Sequence, residues 1–118
     1  MKDKIEAVKA FHTAFKIGHR EHPKANLGIE KNMLRYKLMR EENEEYLEAA
    51  NNDDLVEVAD ALVDMLYIIC GNIIEHGLQH KIAKVFNEIQ RSNMSKLGEN
   101  GEPIYRENSK VLKGPNYI

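Results

Sequence analysis

The chain has 118 residues, 42% of them hydrophobic and 31% charged, which fits a single soluble domain spanning 1–118 with one core. The lone Cys70 excludes a disulfide or a cysteine-built metal centre within one subunit, no apolar run has the ~18 residues of a membrane span, and the opening MKDKIEAVKAFH lacks a signal-peptide run, so a cytoplasmic protein is expected. The net charge of −2 is unevenly spread: residues 1–40 hold ten Lys/Arg against four acids, 41–80 hold eleven acids and no Lys or Arg, and 81–118 hold seven basic against four acidic residues, which excludes the single dominant basic patch of a nucleic-acid binder.

A first helix is predicted over 2–17, where Ile5, Val8, Phe11 and Phe15 recur at helical spacing, with both phenylalanines in the core and His12 exposed or internally satisfied. Residues 18–28, with two histidines, a proline and two glycines, read as a connector without a fold signal. A second helix follows over 29–50, where strong helix formers run without a breaker. The run NNDD at 51–54 is a turn, and Asp54 three residues before Glu57 has the spacing of a capping box. The third helix, 55–76, ends at Gly77 and is apolar nearly all round, so it should be central, with a partner subunit covering part of it. A fourth helix from 79 to beyond 92 carries Ile82, Val85, Phe86 and Ile89 on one stripe. The rest reads as a short hairpin or extended tail, and the whole as an all-α, antiparallel four-helix bundle.

The acids of the middle block are placed unlike a solvated surface. On the second helix Leu34, Leu38, Glu41 and Glu45 fall within about 60° of arc, with Glu42 at the edge, so the apolar stripe turns acidic without changing face. On the third, Glu57, Asp60 and Asp64 share an arc of about 60° with Ala61, Ile68 and Gly71. Carboxylates there repel one another and lose hydration, so they require protons, basic partners or a cation. The block contains no Lys or Arg, and a hard divalent ion, Mg²⁺ or Mn²⁺, is the natural solution. Asp64 is a ligand or a supporting acid, while Glu44 and Glu48 fit the solvated surface that most charge runs become. A ferritin-type di-metal bundle is excluded because no histidine stands three residues after a glutamate, and an EF-hand because no loop has its acids and glycine.

Glu41-Glu42-x-x-Glu45 followed by Glu57-x-x-Asp60 resembles the EExxE…ExxD signature of the all-α NTP pyrophosphohydrolase superfamily, with its MazG-like enzymes, phosphoribosyl-ATP pyrophosphohydrolases and dimeric dUTPases and dCTPases. The likeness extends to RYKLMREENEEYLEA, EVADALVDMLYIICGNIIEHGL and the tail RSNMSKLGENGEPIYRENSKVLKGPNY, and covers roughly residues 28–117. The spacer between Glu45 and Glu57, 11 residues, is at the short end for the family, which bears on the loop more than on the site. The resemblance implies a MazG fold and Mg²⁺-dependent cleavage between the α and β phosphates of a nucleotide. It implies Glu42, Glu45, Glu57 and Asp60 as metal ligands, with Glu41 a further ligand or the group that orients the attacking water. It also implies Asn93 near the nucleoside and Lys96 on phosphate, with Arg91, Lys110 and Lys113 as weaker phosphate candidates, Phe11, Phe15 and His12 as a possible base pocket, and a homodimer or homotetramer. Phosphoribosyl-ATP is the alternative substrate, and a non-catalytic helical oligomerisation module the alternative outside enzymology.

Overall fold

The structure, a computed structural model, describes residues 1–97 and 101. Among them the protein is all-α: α1 is Lys2–Ala14, α2 Ile29–Asn51, α3 Leu55–Glu75 and α4 Ile82–Met94, with no β-strand. The expected hairpin tail, with Lys110 and Lys113, lies outside the described residues. The chain divides into two compact units, residues 1–80 and 81–118.

In the first unit α2 and α3 form an antiparallel hairpin, and α1 packs on α3. The hairpin turn is built from polar side chains and an αL residue. Asp53 takes φ +54°, a conformation aspartate tolerates, and the N–H groups of Asn52, Asp53 and Asp54 close on the carbonyls of Glu48, Ala50 and Ala49. Asp54 then caps α3, its Oδ1 accepting from the Glu57 N–H at 3.1 Å. Only this half of the anticipated capping box forms. The Asp54 N–H already serves Ala49, which leaves the Glu57 carboxylate free for other work.

Two helices present a different face inward from the one apolar periodicity selects. On α1 the buried residues are Ile5, Val8 and His12, while Phe11 is 38% and Phe15 67% exposed, correcting their assignment to the core. The two rings stack on each other with centroids 4.5 Å apart, and Phe11 meets the edge of Tyr67. His12 is satisfied by Nδ1–H donating to the Gly18 carbonyl at 3.0 Å. On α2 the buried residues are Arg35 and Ala49, whereas Leu34 and Glu41 face water. The inward seam of α2 is thus 35-38-42-45-49, alternating three- and four-residue steps in heptad fashion.

Helix α1 ends at Ala14, three residues early, because Lys16 turns left-handed at φ +57° and lets the Ile17 N–H bond back to the His12 carbonyl. The connector, in which the sequence shows no signal, supplies the cap of α3. The Arg20 N–H binds the Ile74 carbonyl and its Nε–H the Glu75 carbonyl, while the Lys24 N–H binds that of His76. His76 Nδ1 donates in return to the Lys24 carbonyl. The carbonyls at the C-terminus of α3 are thereby satisfied, with a guanidinium at the negative end of the helix. Gln79 and His80 are held by this connector through Arg20 and Glu21, so α4 begins only at Ile82.

The first unit's core is small: Ile5, Val8, Ala49, Ala61, Cys70, Ile73 and Ile74. Cys70 is fully buried and burial pushes its thiol up, which makes it an inert packing residue. The apolar circumference of α3 is only partly covered, since Leu55, Val56, Leu62 and Val63 remain exposed. In the second unit α4 exposes Val85, Phe86 and Ile89 from its stripe.

Gly77 has φ +71°, and a Cβ there would collide with the His22 carbonyl oxygen. Gly77→Ala therefore combines left-handed strain with displacement of the connector and should destabilise the protein by ~1–2 kcal/mol or more. A lowered midpoint in thermal or urea melts followed by circular dichroism checks this.

Candidate metal centre

The antiparallel register sets α2 residues opposite α3 residues in layers along the seam. Lys31 meets Glu75 at one end, Arg35 meets Ile68 and Asn72 in the next layer, and Glu42 stands opposite Asp64 further along. Beyond it, Glu45 and Ala49 face Asp60, Ala61 and Glu57 across a cleft. The seam is ionic at its Lys31 end and purely acidic at the turn end.

Glu42, Glu45 and Asp64 each direct a carboxylate oxygen so that the three lie within 4.8 Å of one another. Glu42 Oε2 is shut off from water without a hydrogen-bond partner. None of the ion pairs among the described residues involves Glu42, Glu45, Glu57, Asp60 or Asp64. Shielding from water raises the Glu42 carboxyl from its ordinary 4.5 to about 7, reinforced by the close Glu45 carboxylate and then by Asp64 and Asp60. Asp64 is raised by the same shielding and by the charges of Asp60 and Glu45. An orphaned carboxylate oxygen, three convergent acids and no nearby base fit a hard divalent cation, which would take the place of proton or ammonium.

The trio opens into a cleft of about 390 Å³ between the end of α2 and the start of α3, lined by Glu45, Glu48, Asn52, Asp54, Glu57 and Asp60 over a floor of Ala49 and Ala61. The two buried alanines allow the helices to approach, and the acids flare outward on either side. Of the acids expected at buried positions, Glu42 and Asp64 are half-buried, while Glu41, Glu45, Glu57 and Asp60 are exposed. For Glu45, Glu57 and Asp60 the difference arises because the helix faces open into this cleft instead of closing on apolar neighbours.

Of the residues singled out by sequence, Glu42 and Glu45 enter the trio, and Glu45, Glu57 and Asp60 line the cleft. Glu41 is exposed and belongs to neither group. Asp64 completes the trio, and its signal was its place one turn after Asp60 on the same arc. Glu48, assigned to solvent, lines the cleft, whereas Glu44 is a surface partner of Arg40 at 3.0 Å. On α4, Asn93 is exposed in the last turn and Arg91 bonds Glu88 through Nε and Nη2. The helix ends at Met94, so Lys96 follows its C-cap and does not extend the stripe. Lys113 lies outside the described residues.

An all-α helical hairpin whose turn end carries convergent carboxylates defines a class of carboxylate-lined helical proteins whose acids fit a divalent ion. Residues 8–93, most of the chain, match the family model described as phosphoribosyl-ATP pyrophosphohydrolase, and the chain belongs to that family. It is a family of pyrophosphohydrolases, hydrolases acting on acid anhydrides. No curated protein matches the chain. No helix among the described residues is long and apolar enough to cross a membrane.

The pH dependence of stability follows from the raised carboxyls. A group whose folded-state pKa lies above its unfolded value binds more protons when folded, so stability falls as pH rises from about 4.5 toward about 7. In chelator, the melting midpoint should decline over that window. Millimolar Mg²⁺ should restore it, more at pH 8 than at pH 5, because only the ionised cluster gains from the cation. Differential scanning fluorimetry across this grid checks both signs, and Glu42→Gln should flatten the decline.

Proposed function

We propose that the protein is a Mg²⁺-dependent nucleoside triphosphate pyrophosphohydrolase, with Mn²⁺ as a substitute, that cleaves between the α and β phosphates to give a monophosphate and pyrophosphate. Control of the cytoplasmic nucleotide pool is the role this activity fits. The observation that carries the reading is the Glu42–Glu45–Asp64 convergence beside an open cleft without a basic residue. A polyanion cannot approach such a surface unless cations intervene.

Glu42, Glu45 and Asp64 would hold one cation, with Glu57 and Asp60 across the cleft available to a second. Bound divalent ions supply activation of water and neutralisation of the leaving pyrophosphate. A role for Glu41 in orienting the attacking water rests on the superfamily resemblance alone, since the residue is exposed and lies outside the trio and the cleft lining. Asn93 and Lys96 are retained for nucleoside and phosphate from the superfamily resemblance. Arg91 and Lys113 are weaker candidates, and the bonds of Arg91 to Glu88 already engage its charge at the surface. The exposed Phe11, Phe15 and Tyr67 rings and the apolar surfaces left open on α3 and α4 support a homodimer or homotetramer, since patches of that kind mark interfaces.

Phosphoribosyl-ATP, the substrate of the corresponding step in histidine biosynthesis, is the second reading, favoured by the description of the matching family. It shares the bond broken and differs in what the base carries. Incubation with Mg²⁺ and a panel containing dUTP, dCTP, oxidised purine nucleotides and phosphoribosyl-ATP, resolved by ion-pair chromatography, separates the two. Monophosphate or its phosphoribosyl counterpart plus pyrophosphate is expected, reduced about 100-fold or more by Glu45→Gln. Orthophosphate plus diphosphate, or no turnover, would overturn the proposal.

A further inference from the structure

Arg35 is the one arginine in the buried class among the described residues, and its surroundings are built for it. Its Nε donates to Asn72 Oδ1, its Nη2 donates to the Ile68 carbonyl at 3.1 Å, and Nε lies 3.8 Å from Glu75 Oε2. Glu75 is 3% exposed and also receives Lys31 Nζ at 3.0 Å on Oε1. The guanidinium occupies the space a side chain at position 71 would need. A Cβ on Gly71 would collide with Arg35 Nη2 and stand 2.9 Å from His12 Nε2. His12, held by its Nδ1 bond to the Gly18 carbonyl, directs its Nε2 toward the same notch. Three elements therefore meet at one glycine around one cation.

These bonds run from α2 to α3 and include a main-chain carbonyl, so they fix axial position as well as proximity. A slip of one residue along α3 would replace Asn72 and Ile68 as acceptors. Arg35 lies seven residues, two turns, before Glu42 on the same seam, and Ile68 lies four residues after Asp64. At the turn end no ion pair among the described residues offsets the repulsion of Glu42, Glu45 and Asp64, and the floor is two alanines. We propose that Arg35, seated in the Gly71 notch, is a positioning residue for the cation site, setting the α2–α3 register in which Glu42 and Glu45 converge with Asp64. This rests on the reading of the acid trio as a cation site, which the test keeps separate from the positioning role.

The test uses the full chain and the variants Arg35→Lys, Arg35→Met and Asn72→Ala, each studied well below its melting midpoint. Ile74→Val, a core change outside the seam, controls for stability loss alone. Arg35→Lys keeps the charge facing Glu75 but cannot serve Asn72 and Ile68 together. Mn²⁺ affinity is read by electron paramagnetic resonance of the free ion, and register by the rate of oxidative cross-linking between Glu42→Cys and Asp64→Cys in a Cys70→Ser background. The expected result is Mn²⁺ binding weakened about tenfold or more in Arg35→Lys and Asn72→Ala, with slower cross-linking and unchanged helical content, while Ile74→Val alters neither. An unchanged cross-linking rate in the folded variants overturns the proposal whatever the Mn²⁺ result, as does an equal loss in Ile74→Val. If the unmodified protein takes up no Mn²⁺, the cation reading falls by itself and cross-linking still decides the role of Arg35. Should Arg35→Met fail to fold, the other two variants carry the test.

Discussion

The register of α2 against α3 is the constraint on which the rest of this structure depends. It is held where Lys31 and Arg35 meet Glu75 and Asn72, and used where Glu42 and Glu45 meet Asp64 and Asp60. A buried ion pair adds little net stability over an apolar pair of equal volume, because desolvation offsets the Coulomb gain. What it adds is discrimination among alignments, since leucines can slide past one another at small cost and an arginine bonded to a carbonyl and an amide cannot. The same end of the hairpin receives α1 through His12 and the connector through Arg20, so three segments are indexed to the last turns of α3.

The opposite end is organised by repulsion. Shielding from water, and after it the neighbouring carboxylates, raise the proton affinity of Glu42. Such an arrangement is poor as a structural device and useful as a receptacle for a divalent ion, whose binding releases the conflict. Separation of the two ends matters physically. The side chains of Lys31 and Arg35 stand two helical turns or more before Glu42 on α2, where they can set geometry without neutralising the acidic cluster.

The uncovered apolar surface belongs to the same economy of a short chain. A core of seven small or medium side chains is thin for a helical unit of 80 residues, and α3 is apolar on more sides than α1 and α2 can cover. The Phe11, Phe15 and Tyr67 rings gather on one such open side.

Much of this was legible in the sequence. Helix formers, the NNDD turn, the Asp54 cap and Gly77 located α2 and α3 to within a residue or so, and the acid block without Lys or Arg marked the candidate site. The faces of α1 and α2 were not legible. Periodicity turned Phe11, Phe15 and Leu34 inward, whereas His12 and Arg35 took those positions, because a polar residue is placed by the partner that satisfies it and periodicity carries no partner. The connector looked inert for the same reason, since its contribution is main-chain bonds to α3 that no residue type announces. The sequence by itself determined helical content and the turn, and marked the crowded carboxylates as a candidate cation site, all of which follow from local propensity and charge. Only the tertiary structure decided which carboxylates converge, joining Asp64 to Glu42 and Glu45, setting Glu48 along the cleft and leaving Glu41 outside, because convergence depends on the rotation and register of two helices, and these are set by contacts between residues some thirty to forty positions apart.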